Sequence, residues 1–67
     1  MTKEEEREFW ARAILETLKA SGLSVEKLAE ALNVGSRELR YWRSAQRRPT
    51  GIIAVRIYEF RKRIIEG

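Results

Sequence analysis

The chain has 67 residues, 14 of them Lys or Arg against 10 acidic, a net charge of +4, and no cysteine or histidine. A chain this short buries only about 60% of the surface it exposes when unfolded, which suits one domain over residues 1–67. Without Cys or His there is no disulfide, thiolate site or structural zinc, and the usual nucleophile and base pairs of hydrolases lack their members, so no enzyme, cofactor, metal or small-molecule substrate is expected.

Thr2 followed three residues on by Glu5 is a capping-box pattern, and Glu4, Glu5, Glu6 and Glu8 suit the positive end of a helix dipole. A first helix is predicted over about 3–20, with Phe9, Trp10, Ala13, Ile14 and Leu18 on one broad face and Gly22 ending it at positive φ. Ser24 offers an N-cap for a short second helix over about 25–33, where Leu28, Ala29 and Leu32 repeat toward a core. Asn33-Val34-Gly35 leaves room only for a tight turn. Gly35 or Ser36 caps a third helix over about 36–45, with Glu38 placed to reach back to the cap. Pro49 breaks the helix, and Thr50 caps a fourth over about 51–65, with Ile53, Ile57, Phe60 and Ile64 facing the core. Ala54, Tyr58 and Ile65 form a second stripe beside them, which reads as an interface or, preferably, as a wide buried face.

No segment reads as a strand, so the fold class is an all-α, compact four-helix domain containing a helix-turn-helix. The longest apolar run, "GIIAV", is far below the roughly 20 residues of a membrane span, and the N-terminus is acidic. A soluble cytoplasmic protein without membrane contact is expected.

Charge is unevenly placed. Residues 1–35 hold five basic and seven acidic side chains, whereas residues 36–63 hold nine basic against Glu38 and Glu59 alone. Such asymmetry points to a polyanionic partner, although exposed arginines on a helix are also an ordinary solvated face.

Two short helices joined by a tight turn are the helix-turn-helix arrangement, whose second helix enters the DNA major groove. With Ser36 at 0° on a wheel of about 100° per residue, Leu39 and Trp42 define an inward direction near about 270°. Arg37, Arg40, Tyr41 and Ser44 then point outward as candidate base-reading residues, while Arg43 lies near the edge of that face. Arginine matches guanine O6 and N7 with two parallel donors, and Arg37, in the first turn, is the best placed to do so. Arg40 reaches a second base or a phosphate, and Tyr41 offers a ring edge and a hydroxyl. After this helix, Gln46, Arg47 and Arg48, with the opening backbone N–H groups at Thr50-Gly51-Ile52, make a candidate phosphate clamp. An exposed basic turn complementing the C-terminal end of the third helix would look the same.

The 28 residues "GLSVEKLAEALNVGSRELRYWRSAQRRP" resemble the helix-turn-helix of the lambda-repressor and Cro-like superfamily. The shared pattern is Gly-Leu-Ser, an acidic residue, Leu-Ala, a Gly-Val turn, a helix carrying an aliphatic residue then Trp, and a basic loop ending in Pro. The resemblance implies base reading by Ser36, Arg37 and Tyr41 with Arg40 beside them, and phosphate contact by Ser24, Arg47 and Arg48.

Four positions depart from that pattern. Val25 stands where a phosphate-contacting glutamine is common, and Ala45 replaces the glycine that usually ends the third helix, implying a longer helix or a rearranged loop. Arg43 replaces a common glutamate and Leu18 the arginine that pairs with it, which frees Arg43 to add positive charge near DNA. The chain has no fifth helix of the dimerising kind, so a monomer or weak homodimer is expected. The strong capping and the absence of Cys and His also look like an idealised, designed sequence.

The expectation is sequence-specific binding of double-stranded DNA, as a repressor-type regulator or a designed binder. The rival is a helical protein-interaction module, antitoxin-like or adaptor, whose basic face meets an acidic partner. RNA ranks last, since no strand offers an exposed aromatic platform.

Overall fold

The computed structural model describes residues 1–67 as four helices, α1 (Lys3–Ser21), α2 (Val25–Leu32), α3 (Ser36–Arg43) and α4 (Gly51–Glu66), with no strand. The capping box at Thr2 forms: the Glu5 N–H donates to Thr2 Oγ1 at 3.1 Å and the Thr2 N–H donates to Glu5 Oε1 at 2.9 Å. The backbone N–H of Thr2 first, and its side chain second, hold the Glu5 carboxyl below its ordinary value of 4.5. Gly22, at φ 72°, closes α1 by donating its N–H to the Leu18 carbonyl at 2.9 Å. Ser24 caps α2 by accepting the Lys27 N–H at 3.2 Å. Asn33 ends α2 at φ 57°, a region asparagine tolerates better than most residues.

The core is contributed by all four helices: Ile14 from α1, Leu28, Ala29 and Leu32 from α2, Leu39 and Trp42 from α3, and Ile57 from α4. Each aliphatic side chain taken fully out of water here stabilises the fold by roughly 1.5–3 kcal/mol relative to leaving it exposed. Trp10, Leu18, Leu23, Val25, Val34, Ile53 and Phe60 close the edges of this cluster. α1 packs on α3 and α4, and α2 packs on both as well, so the α2–turn–α3 unit is held from below by the two long helices. No helix is long and apolar enough to cross a membrane.

Several expectations are corrected. Phe9 is exposed and stacks on Trp10 at 5.2 Å between ring centroids, because it sits about 140° around α1 from the buried Ile14. The inward position goes instead to Thr17, whose hydroxyl donates to the Ala13 carbonyl at 2.7 Å and so enters the core satisfied. Tyr58 and Ile65 do not widen the buried face of α4; both are exposed. Thr50 and Gly35 stand at the N-cap positions of α4 and α3, but neither helix has a side-chain cap hydrogen bond. The Glu38 carboxylate folds over Gly35 into space that a Cβ there would occupy.

The third helix is shorter than the expected 36–45. It stops at Arg43, and Ala45 adopts the left-handed conformation at φ 63° that the sequence pattern would give to glycine. The Gln46 N–H donates to the Tyr41 carbonyl at 2.9 Å and the Ala45 N–H to that of Trp42 at 3.2 Å, the two bonds of a Schellman ending. Alanine therefore keeps the glycine's geometry at a steric cost of about 1–2 kcal/mol, and the helix neither lengthens nor rearranges.

Candidate nucleic-acid interface

α3 is an eight-residue helix whose Leu39 and Trp42 are buried, which fixes what its other face presents. Arg37, Arg40, Arg43 and Ser44 are exposed, and Ser36 and Tyr41 half-buried. The wheel thus places Leu39 and Trp42 inward and Arg37 and Arg40 outward as the structure does, whereas Tyr41, expected outward, is half-buried and Ser44 lies just past the end of α3.

The outward arginines have different neighbours. The Arg37 Nε–H donates to the Tyr41 hydroxyl at 3.1 Å, one helical turn away. The Arg47 guanidinium lies 4.7 Å from the centre of the Tyr41 ring, and that of Arg37 lies 5.8 Å from it, both within cation–π reach. Tyr41 therefore gathers an arginine from the first turn of α3 and one from the following loop into one cluster. Arg37, Arg43 and Arg47 form no ion pair with any carboxylate of the chain.

Arg40 and Arg48 are placed otherwise. Arg40 pairs with Glu26 in the first turn of α2, clasping the two short helices across their turn. Arg48 Nη1 lies 3.0 Å from Glu6 Oε2, tying the loop to the start of α1. The sequence marks Glu6 only as an acidic residue at the start of the first helix, and nothing local in it points to either pairing. Glu26 pairs with a residue 14 positions away, and only the packing of α2 on α3 brings the two together.

Ser44 and Gln46 are absorbed into the loop. Ser44 Oγ donates to the Arg40 carbonyl at 2.9 Å, with the Tyr41 carbonyl a second acceptor at 3.3 Å, and accepts from Gln46 Nε2 at 3.0 Å. Pro49 is buried, and Thr50 and Gly51 are exposed at the start of α4, with Gly51 at φ 58°. Ser24 Oγ accepts the α2 cap bond, which leaves its own hydrogen available to a further acceptor. Val25 and Leu18, two of the four departures from the sequence pattern, both pack against the core cluster.

The arrangement supplies guanidinium donors on a rigid helix, a phenol bridging them, and an uncapped N-terminus on α4. All of these bind anions or hydrogen-bond acceptors. No protein-family model matches the chain, and no curated protein or solved structure matches it either.

Proposed function

We propose that the chain binds double-stranded DNA sequence-specifically as a helix-turn-helix domain, with α2 lying across the backbone and α3 in the major groove. The observation that carries this reading is the Arg37–Tyr41–Arg47 cluster on the outward face of α3, which no carboxylate of the chain neutralises. With its Nε–H given to Tyr41, Arg37 keeps its two terminal nitrogens for the O6 and N7 of one guanine, a contact worth about 1–3 kcal/mol of discrimination. Ser36 lies beside it at the start of the helix.

Arg43 and Arg47 supply charge to the flanking phosphates, joined by Ser24 and by the N-terminus of α4 at Thr50 and Gly51. Arg40 and Arg48 join them by exchanging Glu26 and Glu6 for phosphates. One domain covers about 5–7 base pairs, half of a site spaced by one helical turn. A repressor-type regulator or a designed binder would use the same contacts.

Affinity selection from a randomised duplex library, followed by binding measurements over a range of salt, tests the proposal. Arg37→Ala should weaken binding by about 5- to 150-fold on duplexes carrying the selected guanine and little on others. Arg47→Ala should weaken all duplexes alike and lower the salt slope by about 1. Equal losses on every duplex for both variants would refute the assigned roles. A salt-independent affinity would refute nucleic-acid binding and favour an acidic protein partner.

A further inference from the structure

The face of α4 turned away from Ile57 is apolar without being covered. Ile52, Val55, Tyr58 and Ile65 are 69, 51, 54 and 44% exposed, and Glu59 and Lys62 lie among them, also exposed. Neither Glu59 nor Lys62 makes an ion pair within the chain. Around the middle of the stripe, Val55, Tyr58, Glu59 and Lys62 line a groove shared with Trp10 of α1. Single exposed apolar residues are ordinary, but four along one side of one helix in so small a domain make a contiguous patch of the kind that marks an interaction surface.

The order of residues on this stripe has a two-fold character. About a point midway between Tyr58 and Glu59, Ile52 and Ile65 are equidistant, as are Val55 and Lys62. An isologous interface requires that residue i meet residue j while j meets i, and two copies of α4 laid antiparallel about that point satisfy this condition. Ile52 meets the second copy's Ile65, and the aliphatic stem of Lys62 covers its Val55. The Lys62 ammonium then reaches the Glu59 carboxylate one turn along, and the reciprocal pair forms on the other side of the axis.

We infer that the outer face of α4 is a docking surface for a second copy of this chain, packed antiparallel and held in register by reciprocal Glu59–Lys62 pairs. A helix of 16 residues is about 24 Å long, so the stripe falls well below the roughly 800 Å² per partner of a standard stable interface. The dimer is accordingly weak and in exchange with monomer. The inference does not rest on DNA binding.

Sedimentation equilibrium in the absence of DNA tests it. The mass should rise from 7.9 kDa toward twice that value between about 10 µM and about 1 mM, the range in which small interfaces dissociate. Tyr58→Glu should hold the chain at its monomer mass. Glu59→Lys alone and Lys62→Glu alone each set like charges at both symmetric contacts and should weaken dimerisation about tenfold or more, while the double reversal restores it. Circular dichroism should remain helical throughout, because all three positions are exposed. A constant 7.9 kDa at every concentration, a dimer indifferent to these substitutions, or a double reversal without rescue would each overturn the inference.

Discussion

Replacing Glu26 by glutamine is expected to loosen the fold and tighten DNA binding at the same time. The Glu26–Arg40 pair is half exposed, at 58 and 50% of the side chains, so it contributes the 0.2–1 kcal/mol or so of a surface ion pair. Glu26 also lies in the first turn of α2, where a carboxylate facing the helix dipole adds about 0.3–1 kcal/mol. Losing both should cost about 1 kcal/mol, which lowers Tm by about 4–8 °C in a domain of this size. Binding moves the other way. In the proposed interface Arg40 must leave Glu26 before it meets a phosphate or base, and removing that competition should tighten binding by up to about fivefold and steepen the salt slope by up to about 0.9. Thermal unfolding by circular dichroism and fluorescence anisotropy over a salt series read the two effects separately. Arg40→Ala in the Glu26→Gln background should abolish the gain. A fall in Tm with unchanged or weaker DNA binding would refute the reasoning, since it would leave Arg40 as a brace between α2 and α3 only.

Two further outcomes concern the fold itself. Ala45→Gly relieves a left-handed alanine, worth about 1–2 kcal/mol, against about 0.5–1 kcal/mol of added chain entropy in the unfolded state, so Tm should rise by a few degrees, at most about 12 °C; a decrease would mean that the α3 ending does not need positive φ. The Glu5 carboxyl is held below 4.5 by Thr2, so its contribution to α1 is complete above that pH and is lost as pH falls below 4.5 through the lower folded value. Wild-type Tm should therefore drop more steeply than that of Glu5→Gln in acid, and parallel curves would show that the capping box adds no pH-dependent stability.

The helices and their order are legible in the sequence because their signals are local. Thr2 and Ser24 stand where a hydroxyl accepts a free N–H, Gly22 sits where positive φ is needed, and Leu39 and Trp42 lie three residues apart on one side of α3. The misreadings share a cause, which is that burial on a helix is decided by the partner and not by the helix alone. Phe9 is as apolar as Trp10 yet lies exposed, while Thr17 is polar yet buried, its hydroxyl satisfied by its own helix. Ala45 was misleading in another way. Alanine's strong helix propensity suggests continuation, but buried Trp42 and Pro49 on either side hold the backbone in the turn, and tertiary packing overrides a preference of a fraction of a kcal/mol.

At the candidate interface, the wheel separates buried Leu39 and Trp42 from exposed Arg37 and Arg40 but misses that Tyr41 is half-buried and treats every outward arginine as equally available. Charge pairing runs across distances in sequence that no helical period reports: Glu26 with Arg40, Glu6 with Arg48, and Glu16 with Arg61 at 2.8 Å. Three of the nine basic residues between positions 36 and 63 are thereby matched to carboxylates from the acidic first half of the chain. The basic excess that first suggests a polyanionic partner is thus partly spent on holding the helices together. What remains unmatched on and just after α3 is Arg37, Arg43 and Arg47, and two of these are drawn together by Tyr41. A diffuse positive half attracts any polyanion equally, whereas the Arg37 guanidinium, held by the Tyr41 phenol on the outward face of α3, has the donor geometry to favour one base over another. The proposed sequence preference therefore rests on how Arg37 is held, more than on the net charge of the chain.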